Sequence, residues 1–268
     1  MSTTADITNI IYMGREIEKI MYMGREVRLA PYVMPSLVGS KKLKDGTMEA
    51  GFFGEVTQQE LIDAKTLVKM CFVHSKISSH IVFNENVTWL KFAYQNKIEY
   101  IARQPLCNYV SLTQYIDDSV VDGSKLIEIN NIKYRVRLIK GKTEGQQDDT
   151  TSDAGAINHY SEWNRLILPL IKDKNESNYK YPQNVEPDKL KWTERYLEDD
   201  FSFSSDKLRF KKLSGAVCQE GITSTITPYS VALVRGGDSI ESSSTMRSGK
   251  IAQTVGWRPV LEVVDFWY

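Results

Sequence analysis

Apolar and polar residues alternate along much of this chain, and the alternation is clearest in two places. Residues 89–94, Trp-Leu-Lys-Phe-Ala-Tyr, alternate up to the polar pair Gln95-Asn96, and Ile98-Glu99-Tyr100-Ile101-Ala102 alternate again after it. Residues 126–129 and 132–138 repeat the arrangement around Asn130-Asn131. A period of two with a two-residue polar tip predicts β-hairpins. In the second, Lys133, Arg135 and Arg137 fall on one face and Ile132, Tyr134, Val136 and Leu138 on the other. Helical spacing is rarer. Thr57-Gln58-Gln59-Glu60 reads as a capping box, and Leu61, Ala64, Leu67 and Val68 follow at helical intervals, predicting a helix over 58–70. Trp163, Leu166, Ile167 and Leu170 predict a short helix opened by Ser161 and stopped or kinked by Pro169. Strand patterns return at 231–234 and 260–264. Between these elements lie long polar stretches at 140–155 and 172–200, the latter charge-dense with a short helix expected after Pro187. The fold class is therefore α+β, with short helices and long loops.

The N-terminus carries a ten-residue repeat. Tyr12-Met13-Gly14-Arg15-Glu16-Ile17 returns as Tyr22-Met23-Gly24-Arg25-Glu26-Val27. Each copy is a short strand-forming run, a Gly-Arg turn and a second run, which suits a hairpin with glycine at positive φ. Hairpins this small do not bury enough surface to stand alone. One reading is a meander packed on its own domain. The preferred reading is an attachment arm over 1–35, with Tyr12, Gly14, Arg15, Tyr22, Gly24 and Arg25 as its contact residues, which adds strands to a partner. Residues 36–50, with the basic run at 41–44, read as a linker, and 51–268 as the main domain.

Composition narrows the function. The 268 residues hold 34 Lys+Arg against 34 Asp+Glu, and a net charge of zero argues against a nucleic-acid binder. Three scattered cysteines, Cys71, Cys107 and Cys218, are too few for a disulfide framework or a paired zinc site. No stretch approaches a membrane span, and the polar start lacks a secretory pattern, so synthesis in a reducing cytoplasm is expected. Near-neutral charge weakly favours assembly.

Several segments resemble a domain found at the C-terminal ends of phage and prophage tail or fibre proteins. They are Trp89-Leu90-Lys91-Phe92, Tyr134-Arg135-Val136-Arg137-Leu138, Ser161-Glu162-Trp163-Asn164-Arg165-Leu166, Cys218-Gln219-Glu220, Val234-Arg235-Gly236-Gly237 and Gly256-Trp257-Arg258-Pro259-Val260-Leu261-Glu262, in the family's order. The pairing of Arg-Gly-Gly with a final Gly-Trp-Arg is similar to the ending of formylglycine-generating-enzyme-like folds, within the C-type-lectin-like class. The resemblance implies an α+β domain with its ends close together and variable, ligand-binding loops on one surface. It further implies a virion protein, assembled in the host cytoplasm, that forms homo-oligomers, trimers by preference, although no heptad repeat enforces them.

The chemistry of the motif residues reads as structural. Trp163 and Trp257 offer large areas to bury. Asn164, Arg235 and Arg258 offer hydrogen bonds that brace loops, and Gly236-Gly237 permits a tight turn. The formylglycine-generating enzymes use a copper-binding cysteine pair, whereas the matching region here offers Cys218 alone, so that activity is not implied. His74, His80 and His159 share no metal-ligand spacing, and Asp148, Asp149 and Asp153 read as a solvated acidic loop. No catalytic residue, metal or cofactor is expected. Two functions remain. In the first, loops around 140–160 and 223–253 bind host cell-wall carbohydrate, with His159, Tyr160, Tyr229 and Arg247 as candidate contacts. In the second, the chain is a structural decoration protein of capsid or tail that binds no receptor. In both, the arm contacts other virion proteins.

Overall fold

The computed structural model describes residues 20–22, 25–27, 37–75, 77–141, 161–170, 203–204, 212–213, 215–219, 231–236, 243–247 and 255–264. In chain order, β1 (Ile20–Tyr22) and β2 (Arg25–Val27) form an antiparallel hairpin with Ile20 opposite Val27. Their connection runs through residues 23–24, where the sequence places Gly24. The second copy of the repeat thus forms the expected hairpin, and no other described strand pairs with it. Tyr12, Gly14, Arg15 and Gly24 lie outside the described residues.

The main sheet has seven strands. They are β3 (Asp45–Gly46), β4 (Ala50–Thr57), β5 (Thr88–Tyr94), β6 (Lys97–Ala102), β7 (Asp122–Ile129), β8 (Ile132–Leu138) and β15 (Pro259–Val263), the last named for its place at the end of the chain. Their spatial order is β3-β4-β5-β6-β15-β8-β7, and every neighbour is antiparallel. Both predicted hairpins form. Gln95 and Asn96, and then Asn130 and Asn131, all take positive φ of 50–62°, the left-handed tip that suits the twist of the flanking strands. The last strand enters between the two hairpins, three strand spacings (about 14 Å) from β4.

A smaller sheet lies later in the chain. Its members are β11 (Gly215–Val217), β12 (Val231–Arg235), β13 (Ser243–Arg247) and β14 (Val255–Gly256), in the order β13-β12-β11-β14. Only β11 and β14 run parallel. A two-stranded ladder of β9 (Phe203–Ser204) and β10 (Lys212–Leu213) completes the strands. A bridge from Ile139 to Cys218 ties the end of β8 to the end of β11. No helix among the described residues is long and apolar enough to cross a membrane.

The main sheet is buried on both faces. One face presents Trp89, Ile98, Tyr100, Tyr134, Val136 and Leu261 to α1 (Ala64–Cys71) and α2 (Leu112–Asp117). The other presents Leu90, Phe92, Ile101 and Val260 to a helical turn at 161–170 and to Ala216, Cys218 and Leu233 of the smaller sheet. The helical turn is π-type over Trp163–Ile167 and tightens to a 3-10 turn over Leu168–Leu170, which contains Pro169.

Two expectations need correction. The helix predicted over 58–70 begins later, at Ala64. The Thr57–Glu60 pair does form, with the Thr57 amide donating to Glu60 Oε2 at 2.8 Å, but it closes the turn that ends β4. The helix cap is Asp63, whose Oδ1 accepts from the Thr66 amide at 2.9 Å. The capping box that does start a helix is Ser111 with Gln114, opening α2, which the sequence reading passed over.

Residues 37–50, read as a linker, are instead a strap on the sheet. Leu37 is buried in the core, Tyr100 Oη donates to the Val38 carbonyl at 2.9 Å, and Asp45–Gly46 pairs with β4. The reason is Lys91, which sits inside a strand with no exposed surface. Its Nζ donates to the Ser40 carbonyl at 2.8 Å and lies 5.2 Å from the centre of the Phe53 ring. Burial pulls this amine down to about 8 and the charge of Lys41 adds to the effect, so the strap's carbonyl and the ring face are what keep it charged. Residues 37–50 therefore belong to the domain. Removing residues 1–36 is expected to leave a cooperatively folded domain. Removing residues 1–50 exposes Leu37's site, strands the Lys91 ammonium and costs at least about 3 kcal/mol, read by urea unfolding. Equal midpoints for the two truncations would show that the strap contributes nothing.

Candidate functional site

The residues that carry chemistry converge on the face of the main sheet covered by the helical turn. Strand alternation sends Glu99 of β6, Arg137 of β8 and Glu262 of β15 to that face, beside Ile101 and Val260. In the register, Glu99 faces Glu262 and Glu262 faces Arg135, which makes one row across three central strands. Two carboxylates directly opposite one another repel, and here the cations between them and above them decide the outcome.

Arg137 is the centre. Its Nη1 and Nη2 donate to Glu162 Oε2 and Oε1, both at 2.7 Å, in a bidentate pair. Nη2 also donates to Glu99 Oε2 at 2.8 Å, Nη1 to the Leu138 carbonyl at 3.3 Å and Nε to Glu262 Oε2 at 3.4 Å. All five guanidinium hydrogens are thereby used. Glu162 is fully buried and accepts a further bond from the Lys140 amide at 2.8 Å. At the rim, Lys97 Nζ reaches Glu262 at 2.8 Å and Arg135 reaches it at 3.5 Å.

Electrostatics splits the three carboxyls. Burial pushes Glu162 up, but the Arg137 charge and its paired hydrogen bonds hold the group below the ordinary value. Burial also opposes ionisation of Glu262, and the Lys97 bond with the Arg137 charge overcomes it. Glu99 goes the other way. Burial and then the neighbouring Glu162 charge raise it well above the ordinary carboxyl range, and Arg137 offsets this only in part.

The motif residues form the adjoining layer. Trp163 is fully buried, with the Arg235 and Arg258 guanidinium carbons 5.9 and 5.2 Å from its ring centre. Arg235 Nη2 donates to Asn164 Oδ1 at 2.8 Å. Gly236 follows β12 with φ of 74°, a left-handed turn that favours glycine. Trp257 and Arg258 are successive and face opposite ways. Trp257 packs edge-on against Phe72, ring centres 4.9 Å apart, on the helix-covered face, while Arg258 goes to Trp163. The bond from Arg235 to Asn164 joins β12 to the covering helical turn.

Of the candidate ligand contacts, His159, Tyr160 and Tyr229 lie outside the described residues, as does Gly237. Arg247 ends β13, its backbone opposite Val231. Cys71, Cys107 and Cys218 are buried and form no disulfide, and burial pushes the Cys71 thiol up to about 12 and the Cys107 thiol higher still. Among the described residues no three metal-ligating side chains converge on an ion site. Sequence reasoning missed the Arg137 cluster altogether. The signal available to it was a charge inside each of three apolar strands, at Glu99, Arg137 and Glu262.

Arg137→Met is expected to leave buried carboxylates without their cation and to cost about 3–5 kcal/mol. Arg137→Lys does not rescue it, because an ammonium has no fork to hold Glu162. Asn164→Ala removes one charge-assisted bond and costs about 1–3 kcal/mol. Guanidinium titration of the three variants checks the order; a neutral Arg137→Met would refute the central role of the cluster. On the acid side, Glu162 and Glu262 have lowered values, so their stabilisation is present above 4.5 and is lost as pH falls through their folded values. Thermal melts are therefore expected to drop below pH 4.5, and less steeply in Glu262→Gln.

Comparison of the chain with protein-family models, with curated proteins and with solved structures gives no match.

Proposed function

We propose that the chain is a bacteriophage virion surface protein, a tail, baseplate or fibre component, that binds the host cell surface through exposed loops. One observation carries the reading. Four motif segments that resemble the phage tail-domain family, distant in sequence, meet in one buried cluster: Arg137, then Glu162 with Trp163 and Asn164, then Arg235, then Arg258 with Glu262. Motifs that pack on one another are what a shared framework requires, and a shared framework with variable connections is how scaffolds carry binding loops. The C-type-lectin-like fold is part of this proposal. The mixed α+β architecture and the final strand's entry into the centre of the main sheet support it.

The role is binding and not catalysis. The motif residues are spent on one another inside the protein, and the two thiols with raised values are poor nucleophiles. The β1–β2 hairpin supports attachment through the N-terminus, since so small a ladder gains stability by pairing with a partner. Self-association into trimers belongs to the same reading.

Four outcomes test it. Purified protein is expected to sediment with host cells or isolated wall polymer at micromolar concentration. Tyr160→Ala with Tyr229→Ala is expected to weaken that binding about tenfold, the loss of roughly 1.4 kcal/mol. Absence of binding, with virions lacking the chain that adsorb normally but assemble poorly, would replace it with the decoration role. Cleavage of wall polymer abolished by a single Glu or Asp substitution would replace it with an enzyme. Independently, the 1–36 truncation is expected to stay folded and to be absent from purified particles.

A further inference from the structure

Glu162 is the first charged group of the segment that covers the sheet, and it is held at three points: twice by Arg137 and once by the Lys140 amide. Glu99 lies beside it on the sheet, because Glu99 Oε2 and Glu162 Oε1 both accept from Arg137 Nη2, at 2.8 and 2.7 Å. Glu99 Oε2 takes the Arg137 bond, while Glu99 Oε1 is buried and receives a bond from no donor. An ionised carboxylate in that position would leave a full lone-pair oxygen unsatisfied next to a second carboxylate. A protonated carboxyl removes that unsatisfied charge, and Glu162 beside it is the acceptor for the proton.

We propose that Glu99 and Glu162 share one proton, and that this carboxyl–carboxylate pair is a pH-sensitive latch holding residues 161–170 against the sheet. The other groups facing it are fixed in sign. Arg137 and Arg135 come from β8, Lys97 from β6, Glu262 from β15, Arg165 from the covering segment itself and Tyr94 from β5. Glu262 answers to Lys97 and Arg135, and Arg165 lies 3.3 Å from Glu49, so among the described residues around the pair these cations are already engaged and Arg137 alone faces both carboxyls. Loss of the proton places two anions against one guanidinium in a buried site, where solvent screens them little. The covering segment is the part that can move away, because Glu99 is tied into the sheet centre on both sides.

The sign follows from the raised folded value of Glu99. Its contribution to stability is fully present below the ordinary value of 4.5 and is lost as pH rises toward the folded value. Over that window each pH unit raises the released population about tenfold. This limb is opposite to the acid limb set by Glu162 and Glu262. The buried Tyr94, with burial pushing it up to about 12, ionises far outside the window.

Glu99→Gln reproduces the protonated form, since its carbonyl can accept from Arg137 and its amide can donate to Glu162. The experiment compares wild-type protein and Glu99→Gln by thermal melting and by the rate of limited proteolysis between pH 5 and 9. Wild-type protein is expected to lose several degrees in Tm and to be cut progressively faster as pH rises, whereas the Glu99→Gln profile stays flat. Parallel profiles overturn the latch. Should Glu99→Gln fail to fold, carbon-13 titration of glutamate carboxyls in wild-type protein decides. One carboxyl titrating well above the ordinary glutamate range is expected, and all glutamates titrating within or below that range would overturn the proposal.

Discussion

The structure turns on one guanidinium. Arg137 has five N–H groups, all directed at acceptors, and those acceptors come from β6, β8, β15 and the covering segment. A buried cation of this kind does not by itself stabilise a fold, because the cost of taking it out of water is of the same order as what its partners return. Its effect is to make alternatives expensive. A slip of one residue in β15 would send Glu262 to the helix-covered face and Leu261 to the polar one. A covering segment shifted along the sheet would leave Glu162 charged and buried with nothing to accept from. The cluster thus fixes both the register of three central strands and the seat of the segment laid over them.

The two faces of the main sheet divide the labour. The face under α1 and α2 is an apolar core of the ordinary kind, closed by Trp89, whose indole donates to the Ile62 carbonyl, and by Trp257 against Phe72. The face under 161–170 mixes aromatic packing with ionised groups. Trp257 and Arg258 stand at the seam, one residue on each face, so the Gly-Trp-Arg stretch is where the final strand commits its alternation to the sheet. The fully buried Trp163 between two guanidiniums then gives Arg235 and Arg258 a ring face to lie on while Asn164 takes a hydrogen bond from Arg235.

Local rules made the hairpins legible in the sequence. Asn-Asn and Gln-Asn tips need two left-handed residues, and few other sequences supply them between alternating strands. The burial of Trp163, Leu166, Ile167 and Leu170 followed from spacing in the same way. What failed was arbitration between local signals. Thr57–Glu60 satisfies every requirement of a capping box and still closes a turn, since Asp63 offers the competing cap six residues on. The strap at 37–50 carries Pro, Gly and Lys and so resembles a linker, because the reason it is held lies 51 residues away in Lys91. The polar cluster was illegible for the same reason. Each of its charges looks like a solvated position within its own strand, and only the pairing of β6 with β15 and of β15 with β8 turns them into one site.

That distribution has a consequence for what the chain can vary. The fixed points of the framework are few and lie far apart: Arg137, the Glu162–Asn164 stretch, Arg235 and the Arg258–Glu262 strand. Between the first two lie residues 142–160, and between later ones 220–230 and 237–242. Closing a connection between fixed ends grows dearer only with the logarithm of its length, about 0.6 kcal/mol for each doubling. Breaking the buried cluster costs several times that, so changes in the length or composition of those connections leave the seats of their ends intact. The connections are therefore free to vary while the frame is held by buried charges, and under the proposed binding role a change in specificity has no physical reason to disturb the fold.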